Sequence, residues 1–519
     1  MILSILSLST RYAGSLRSAI KMQRPISTVI KGPFNFVENA RCEPVDKFND
    51  VDNLEPSSGK VLHKFGSSGA NEVNRAVEAA KNAYEEWSKL TAGERGVFLK
   101  KAANIIESNV EAIAKMEVQD SGKPIWEARI DVQSVADTLN YFASVVPEAM
   151  KGTYSPQPGG SYALVQREPV GVCVGVGAWN YPIQTCVWKT APALACGNTF
   201  VYKPSPLTPV TAVVLGEALA AAGVPSGVYG VVQGEGETGH LLCSHPDVAK
   251  VSFTGSVPTG SKIMTDAAAS IKKVTMELGG KSPLIIFEDA DITNAVRGAM
   301  LANFLSQGQV CNNGTRVFVQ KSIKEKFTAA LVEACKKLRV GDPMLDDTTV
   351  GATVCRQQFD KVLGFIERAK KEGGKILCGG EQVTLPGDLS GGCYLQPCIV
   401  DCPSDSMELV REEVFGAVLA LLEFSTEEEV VRRANDTRYG LSAGLFTRDL
   451  SRAHRVMSRL QAGACFINTY NVMPVGVPFG GYKMSGFGRE NGVEAVASYT
   501  QLKSVYVETG DVDAAPLCD

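Results

Sequence analysis

Histidine is scarce in this chain: four in 519 residues, at His63, His240, His245 and His454, none in a motif with a catalytic look. That scarcity argues against chemistry in which an imidazole activates a nucleophile, as a cysteine protease would need. Long apolar runs are missing too. No stretch approaches the roughly 18 consecutive apolar residues of a membrane-spanning helix, so the chain is not expected to cross a bilayer. An excess of one charge is also absent: the net charge is -4, both signs are mixed along the sequence, and no basic stripe is present. Nucleic acid is therefore not an expected partner. Cys393, Cys398 and Cys402 lie close together but lack zinc-type pair spacing, and the region has no histidine. No metal site is expected there.

What remains describes an ordinary globular chain. Hydrophobic residues make up 45% and charged residues 21%, with a mean hydropathy of zero, and the length suits two or three domains. Fourteen cysteines at irregular spacings suggest free thiols in a reducing compartment. Residues 1–37 differ in character: Arg11, Arg17, Lys21, Arg24 and Lys31 occur with many serines and no acid before Glu38. That composition resembles a mitochondrial transit peptide, and the basic residues follow the apolar start, unlike a secretory signal. Met22 can itself serve as a start, so an optional extension is the alternative. Both readings leave residues 1–37 outside the fold.

Residues 70–143 carry apolar positions every three or four, which predicts a helical layer. A Gly/Pro-rich loop over 152–160 then leads into an exposed strand over 161–167, a hairpin or arm. From 170 to 287 strand-like and helix-like segments alternate: strands at 170–176, 199–202, 229–232, 250–253 and near Leu284, helices at 183–195, 210–222 and from about Thr259. A second such series runs over 317–466. Alternation of this kind implies βαβ units and parallel sheets, so the fold class is α/β, with two α/β domains in tandem.

Chemistry-bearing residues cluster in a few places. Cys311 sits in the polar, glycine-flanked loop Gln307-Gly308-Gln309-Val310-Cys311-Asn312-Asn313, where a thiol is placed to react, unlike the cysteines in apolar segments. Glu277, in Met276-Glu277-Leu278-Gly279-Gly280-Lys281, is an acid in an otherwise apolar strand end, which is costly unless the acid is functional or paired. Two readings stand: a general base whose pKa burial raises toward neutrality, or an ion pair with Lys281. Asn180, in Gly177-Ala178-Trp179-Asn180-Tyr181-Pro182, follows a strand end where α/β sheets place ligands; its amide can donate to an oxyanion or simply shape a turn. Phe253-Thr254-Gly255-Ser256 leads from a strand into a helix, so backbone amides and the Ser256 hydroxyl can meet a pyrophosphate, with Val257, Pro258 and Thr259 opening that helix. No G-x-G-x-x-G fingerprint is present, because Gly171, Gly175 and Gly177 have the wrong spacing. Lys203 ends the next strand, positioned to reach ribose hydroxyls.

Taken together, these segments resemble the aldehyde dehydrogenase superfamily from about residue 40 to 510. The resemblance implies that Cys311 is the nucleophile, Glu277 the general base, and Asn180, with the Cys311 backbone amide, the oxyanion donors. It implies NAD as cofactor, contacted by Lys203, Gly255, Ser256, Val257, Pro258, Thr259, Glu413 and Phe415, and a small-molecule aldehyde oxidised to an acid through a Cys311 thioester. It divides the chain into an NAD-binding domain of variant Rossmann form (38–144 and 166–276), a catalytic domain (277–483) and a small β oligomerisation arm (145–165 with part of 484–510). A homotetramer in the cytosol is implied, with the mitochondrial matrix the alternative if the extension acts. Residues 478–492 look most like the branch acting on 4-trimethylaminobutyraldehyde and betaine aldehyde. That implies 4-trimethylaminobutyrate, a carnitine precursor, as product, alongside broad aldehyde activity. Alternatives are betaine aldehyde oxidation, a coenzyme A-acylating semialdehyde dehydrogenase, which usually lacks the base, and a silent crystallin-like protein. Trp179, Tyr181, Trp188 and Phe479 are expected to line the substrate tunnel. Three positions depart from pattern: Pro206 replaces an acid that often holds the adenosine ribose, and Phe479 and Leu305 stand where plant betaine aldehyde enzymes have tryptophans.

Overall fold

The structure is a computed structural model that describes residues 32–512. Most of the expected transit-like extension, with Met22, lies outside the described residues. Its last part does not behave as an extension. Asn35–Val37 is a strand in the first sheet, antiparallel to the strand Tyr229–Val231, and Phe34, Phe36 and Val37 are core residues. Asn35 donates to Ser68 Oγ (3.0 Å) and Glu72 Oε1 (3.1 Å) and accepts the Gln233 N–H (2.8 Å), so the segment is tied on both sides. The expected boundary at 37 is thus corrected to before Phe34. The basic, serine-rich pattern ends by Lys31, and the apolar residues after it are buried.

Four helices, Ala70–Lys89, Ala92–Glu107, Val110–Ser121 and Ile125–Ala149, make the helical layer that the periodicity predicts. The second opens with a capping box in which Thr91 and Glu94 satisfy each other's backbone N–H groups. The first large sheet has eight strands. Its centre is parallel, in the order Tyr229–Val231, Thr199–Lys203, Val172–Val176, Val248–Thr254, Lys273–Glu277, with antiparallel strands at both edges. The second sheet has seven strands, all parallel but for one edge pair. Near-continuous burial of the central strands, such as Val172–Val176 and Pro283–Ile286, follows from helices covering both faces. The α/β class is borne out.

Not every element was legible. The antiparallel pair Lys47–Leu54 and Val61–Ser68 and the helix Gly236–Ser244 were not anticipated. The loop expected at 152–160 contains the strand Thr153–Pro156, which pairs with Tyr162–Pro169. Thr500–Val507 completes this separate three-stranded sheet.

Candidate active site

In the first sheet the chain steps outward from Val172–Val176 through Thr199–Lys203 to Tyr229–Val231, then returns to the opposite flank as Val248–Thr254 and Lys273–Glu277. The order therefore reverses between Val172–Val176 and Val248–Thr254, and ligands of open α/β sheets bind beyond the carboxyl ends at such a point. Every predicted motif of this region opens there. Gly177 and Asn180 follow the first of these strands, Lys203 ends the second, Gly255 and Ser256 follow the fourth, and Glu277 ends the fifth. From the second sheet, the loop between the helix Ile292–Phe304 and the strand Arg316–Gln320 brings Cys311 to the same place.

These residues line a single cavity of about 1120 Å³. It is lined by Cys311, Glu277 and Asn180, with Lys203, Gly255, Ser256, Thr259, Glu413 and Phe415, and also by Trp179, Tyr181, Trp188 and Phe479. Val257 and Pro258, the first two residues of the helix Val257–Ala268, do not line it. Trp179 meets Phe415 edge-on at 5.1 Å, whereas Trp188 meets Phe479 at 5.5 Å. Trp179 is therefore joined to the Glu413–Phe415 side rather than to the Trp188–Phe479 pair. Tyr181 already carries a cation on its ring, the Lys123 ammonium at 4.0 Å.

Glu277 is buried, and neither carboxyl oxygen has a hydrogen-bond partner among the described residues. The ion pair with Lys281 is not formed: Lys281 Nζ is itself buried without a partner. Burial, reinforced by the Glu490 carboxylate, holds the Glu277 carboxyl well above the usual range against the pull of Lys189 and Arg489. Gly480 is needed beside it, since a Cβ there would sit 2.7 Å from the Gly488 carbonyl oxygen and 2.8 Å from Glu277 Oε1. Asn180 donates one amide hydrogen to Gln309 O at 2.8 Å, which aims the side chain and leaves a second hydrogen to give. The Cys311 thiol is pushed up to about 12 by burial and by the Glu413 and Glu277 carboxyls, opposed by the N–H groups of Asn312 and of Cys311 itself. The run before it is strained: Ser306 and Gln307 are left-handed (φ 49° and 54°), at about 1–2 kcal/mol each.

The other end of the cavity suits a dinucleotide. The helix Val257–Ala268 starts there with Ser256 accepting the Thr259 N–H, and no acid in its first turn offsets its positive end. Lys203 Nζ is buried and donates to Pro204 O (2.7 Å) and Gly234 O (2.6 Å), leaving one hydrogen for a ligand. Glu413 accepts the Gly280 N–H at 3.0 Å, and Gly279 makes room for it, a Cβ there lying 2.2 Å from Oε2. Several lining residues were missed from sequence, among them Asp131, Gln184, Met473 and Glu490. The signal that singled out Glu277, an acid among apolar neighbours, was present for Asp131 and was not followed.

The fold and cavity thus define an enzyme in which a half-buried thiol, a buried unpaired carboxyl and an amide donor meet beside a dinucleotide groove. The chain belongs to the aldehyde dehydrogenase family, whose sequence pattern matches residues 44–505. It is 54% identical to the 4-trimethylaminobutyraldehyde dehydrogenase of Homo sapiens over 489 residues, 94% of this chain and 99% of that one. It is likewise 54% identical to 4-trimethylaminobutyraldehyde dehydrogenase A of Danio rerio, over 94% and 96% of the two chains. A betaine aldehyde dehydrogenase of Staphylococcus aureus, solved with NAD+, superposes with a TM-score of 0.90 at 35% identity, covering 93% of this chain and 96% of that one. An aldehyde dehydrogenase is therefore the class of enzyme this chain is.

Proposed function

We propose that this aldehyde dehydrogenase converts 4-trimethylaminobutyraldehyde to 4-trimethylaminobutyrate with NAD, through a thioester on Cys311. One observation carries the chemistry: Cys311, Glu277 and Asn180, distant in sequence, face one cavity. The substrate rests on the relatives of that name at 54% identity. Betaine aldehyde is the second reading, favoured by the Staphylococcus aureus neighbour. The aromatic rings of Trp188 and Phe479 suit a quaternary ammonium, each such face being worth about 0.5–2 kcal/mol.

The sulfur of Cys311 bonds to the aldehyde carbon, its proton passing to a water molecule, while Asn180 and the Cys311 N–H hold the oxyanion. Bound NAD supplies the hydride acceptor that makes the adduct a thioester. Glu277 then takes a proton from water, the hydroxide adds to the thioester carbon, the C–S bond breaks and the acid departs. An acyl transfer to coenzyme A needs no such base, and the unpaired Glu277 favours water as acceptor. Lys203, Gly255, Ser256, Thr259, Glu413 and Phe415 are the residues that would hold the dinucleotide. The sheet of Thr153–Pro156, Tyr162–Pro169 and Thr500–Val507 serves as the arm of a homotetramer, 277–483 as the catalytic domain, and the cytosol as the compartment. No helix among the described residues is long and apolar enough to cross a membrane. The test is NADH absorbance with 4-trimethylaminobutyraldehyde, betaine aldehyde and plain aliphatic aldehydes; kcat/KM highest for the first is expected, and a preference for short unsubstituted aldehydes overturns the substrate.

A further inference from the structure

Nothing in the mechanism above uses Glu127, yet it is buried, in the first turn of the helix Ile125–Ala149, whose Ile130, Asp131 and Ser134 line the cavity. An acid at the third helical position normally turns back to bond the N–H of the residue that caps the helix. Here that residue is Pro124, which has no N–H. The Glu127 carboxyl instead accepts the Ser306 N–H, at 2.9 Å to Oε2 and 3.1 Å to Oε1, 179 residues away in sequence. Ser306 begins the left-handed run that ends at Gly308, three residues before Cys311.

Gln307 inside that run and Gln309 just after it are tied as well. Gln307 Nε2 donates to Gly122 O (2.9 Å) and Ala352 O (2.7 Å), Gln309 Oε1 accepts the Val354 N–H (3.1 Å), and Gln309 O accepts from Asn180 (2.8 Å). Ser306, Gln307 and Gln309 are thus each held by residues distant in sequence. The bond from Asn180 falls on Gln309, two residues before Cys311, so the anchored backbone leads directly to both.

We propose that Glu127 is a positioning residue, whose carboxyl holds the Ser306–Gly308 run so that the Cys311 sulfur and the Asn180 amide keep their mutual geometry. The proposal rests on the reading of Cys311 as nucleophile. Burial pushes the Glu127 carboxyl up to about 8, with Asp131 adding to this and the Ser306 N–H and Lys123 opposing it; protonated or not, the group keeps an oxygen that accepts the Ser306 N–H.

The experiment compares wild type with Glu127→Ala, Glu127→Gln, Gln307→Ala and Cys311→Ala. The readouts are the pre-steady-state NADH burst, NAD affinity by fluorescence, and iodoacetamide labelling of Cys311, which requires no oriented donor. In Glu127→Ala the burst rate is expected to fall by roughly 10- to 100-fold, the scale of a misplacement of about 1 Å, while NAD affinity holds and labelling stays at or above wild type. Glu127→Gln, whose amide oxygen still accepts, restores the burst, and Gln307→Ala reproduces the loss. A wild-type burst in Glu127→Ala, a parallel loss of NAD affinity, or no rescue by Gln overturns the proposal. Should Glu127→Ala fail to fold, a wild-type burst in Gln307→Ala overturns it. Activity retained in Cys311→Ala is a separate result, which removes the nucleophile and this proposal with it.

Discussion

Replacing Glu277 by Gln keeps the shape of the side chain and removes its ability to take a proton. Both Glu277 oxygens lie buried without a partner, so the amide enters the same space and breaks no protein hydrogen bond. If this carboxyl activates the water that cleaves the thioester, its loss removes general-base catalysis, worth about 10²- to 10⁴-fold, or roughly 3–5 kcal/mol at 1.36 kcal/mol per decade. The first half-reaction does not need the base. Stopped-flow absorbance should then show a burst of one NADH per site followed by a slow steady state. The same substitution should stabilise the fold. The folded pKa of Glu277 is raised above its unfolded value, so its protonated form is fully accommodated below the unfolded pKa, and stability is lost as pH rises through the folded pKa. The variant escapes that loss, so its stability relative to wild type should rise with pH and be smallest in acid. Unchanged steady-state turnover, or a slow variant with no burst, would refute the role; equal melting temperatures at all pH values would refute the electrostatic account.

The remaining predictions concern other links of the argument. Asn180→Ala should slow the NADH burst by about 10²- to 10³-fold with NAD affinity intact, since it removes an oxyanion donor; a burst within a factor of three contradicts this. Because the Cys311 thiol is pushed up to about 12, its iodoacetamide labelling without nucleotide should rise about tenfold per pH unit from 7 to 10, and a plateau near pH 8 would show a thiolate already formed. Phe36→Ala should cost about 3–5 kcal/mol in chemical denaturation, and a chain begun at residue 38 should be similarly impaired. A chain begun at residue 32 should be clearly more stable than the one begun at 38, and equal stability of the two truncations would contradict the corrected boundary.

The fold was legible where sequence patterns are strong. Parallel strands such as Val172–Val176 read as short apolar runs between helices, and the helical layer over 70–143 followed from its periodicity. The hairpin of Lys47–Leu54 with Val61–Ser68 was not legible, because its first strand is mostly solvent-exposed and carries little hydrophobic alternation. Strand Thr153–Pro156 hid in a Gly/Pro-rich stretch because it is fully exposed and is paired on only one side. In the site, the functional types announced themselves singly, as a thiol in a polar loop and an acid in an apolar strand, but their convergence depends on the reversal of strand order, which no local pattern encodes. The Glu277–Lys281 pair, open from sequence, is decided by the strand end, which points the two side chains to separate buried spaces. The link from Glu127 to Ser306 was out of reach for the same reason: it spans 179 residues and joins two elements that only tertiary packing brings together.

The central claim is a thioester on Cys311 that water resolves with the help of Glu277. Its most direct test is rapid acid quench of the Glu277→Gln protein during turnover of 4-trimethylaminobutyraldehyde with NAD, followed by peptide mass mapping. The account predicts the mass of the acyl group on the peptide that contains Cys311, at close to one per chain, and none in Cys311→Ala. An acyl group on any other cysteine, or turnover with no covalent adduct at all, would contradict it.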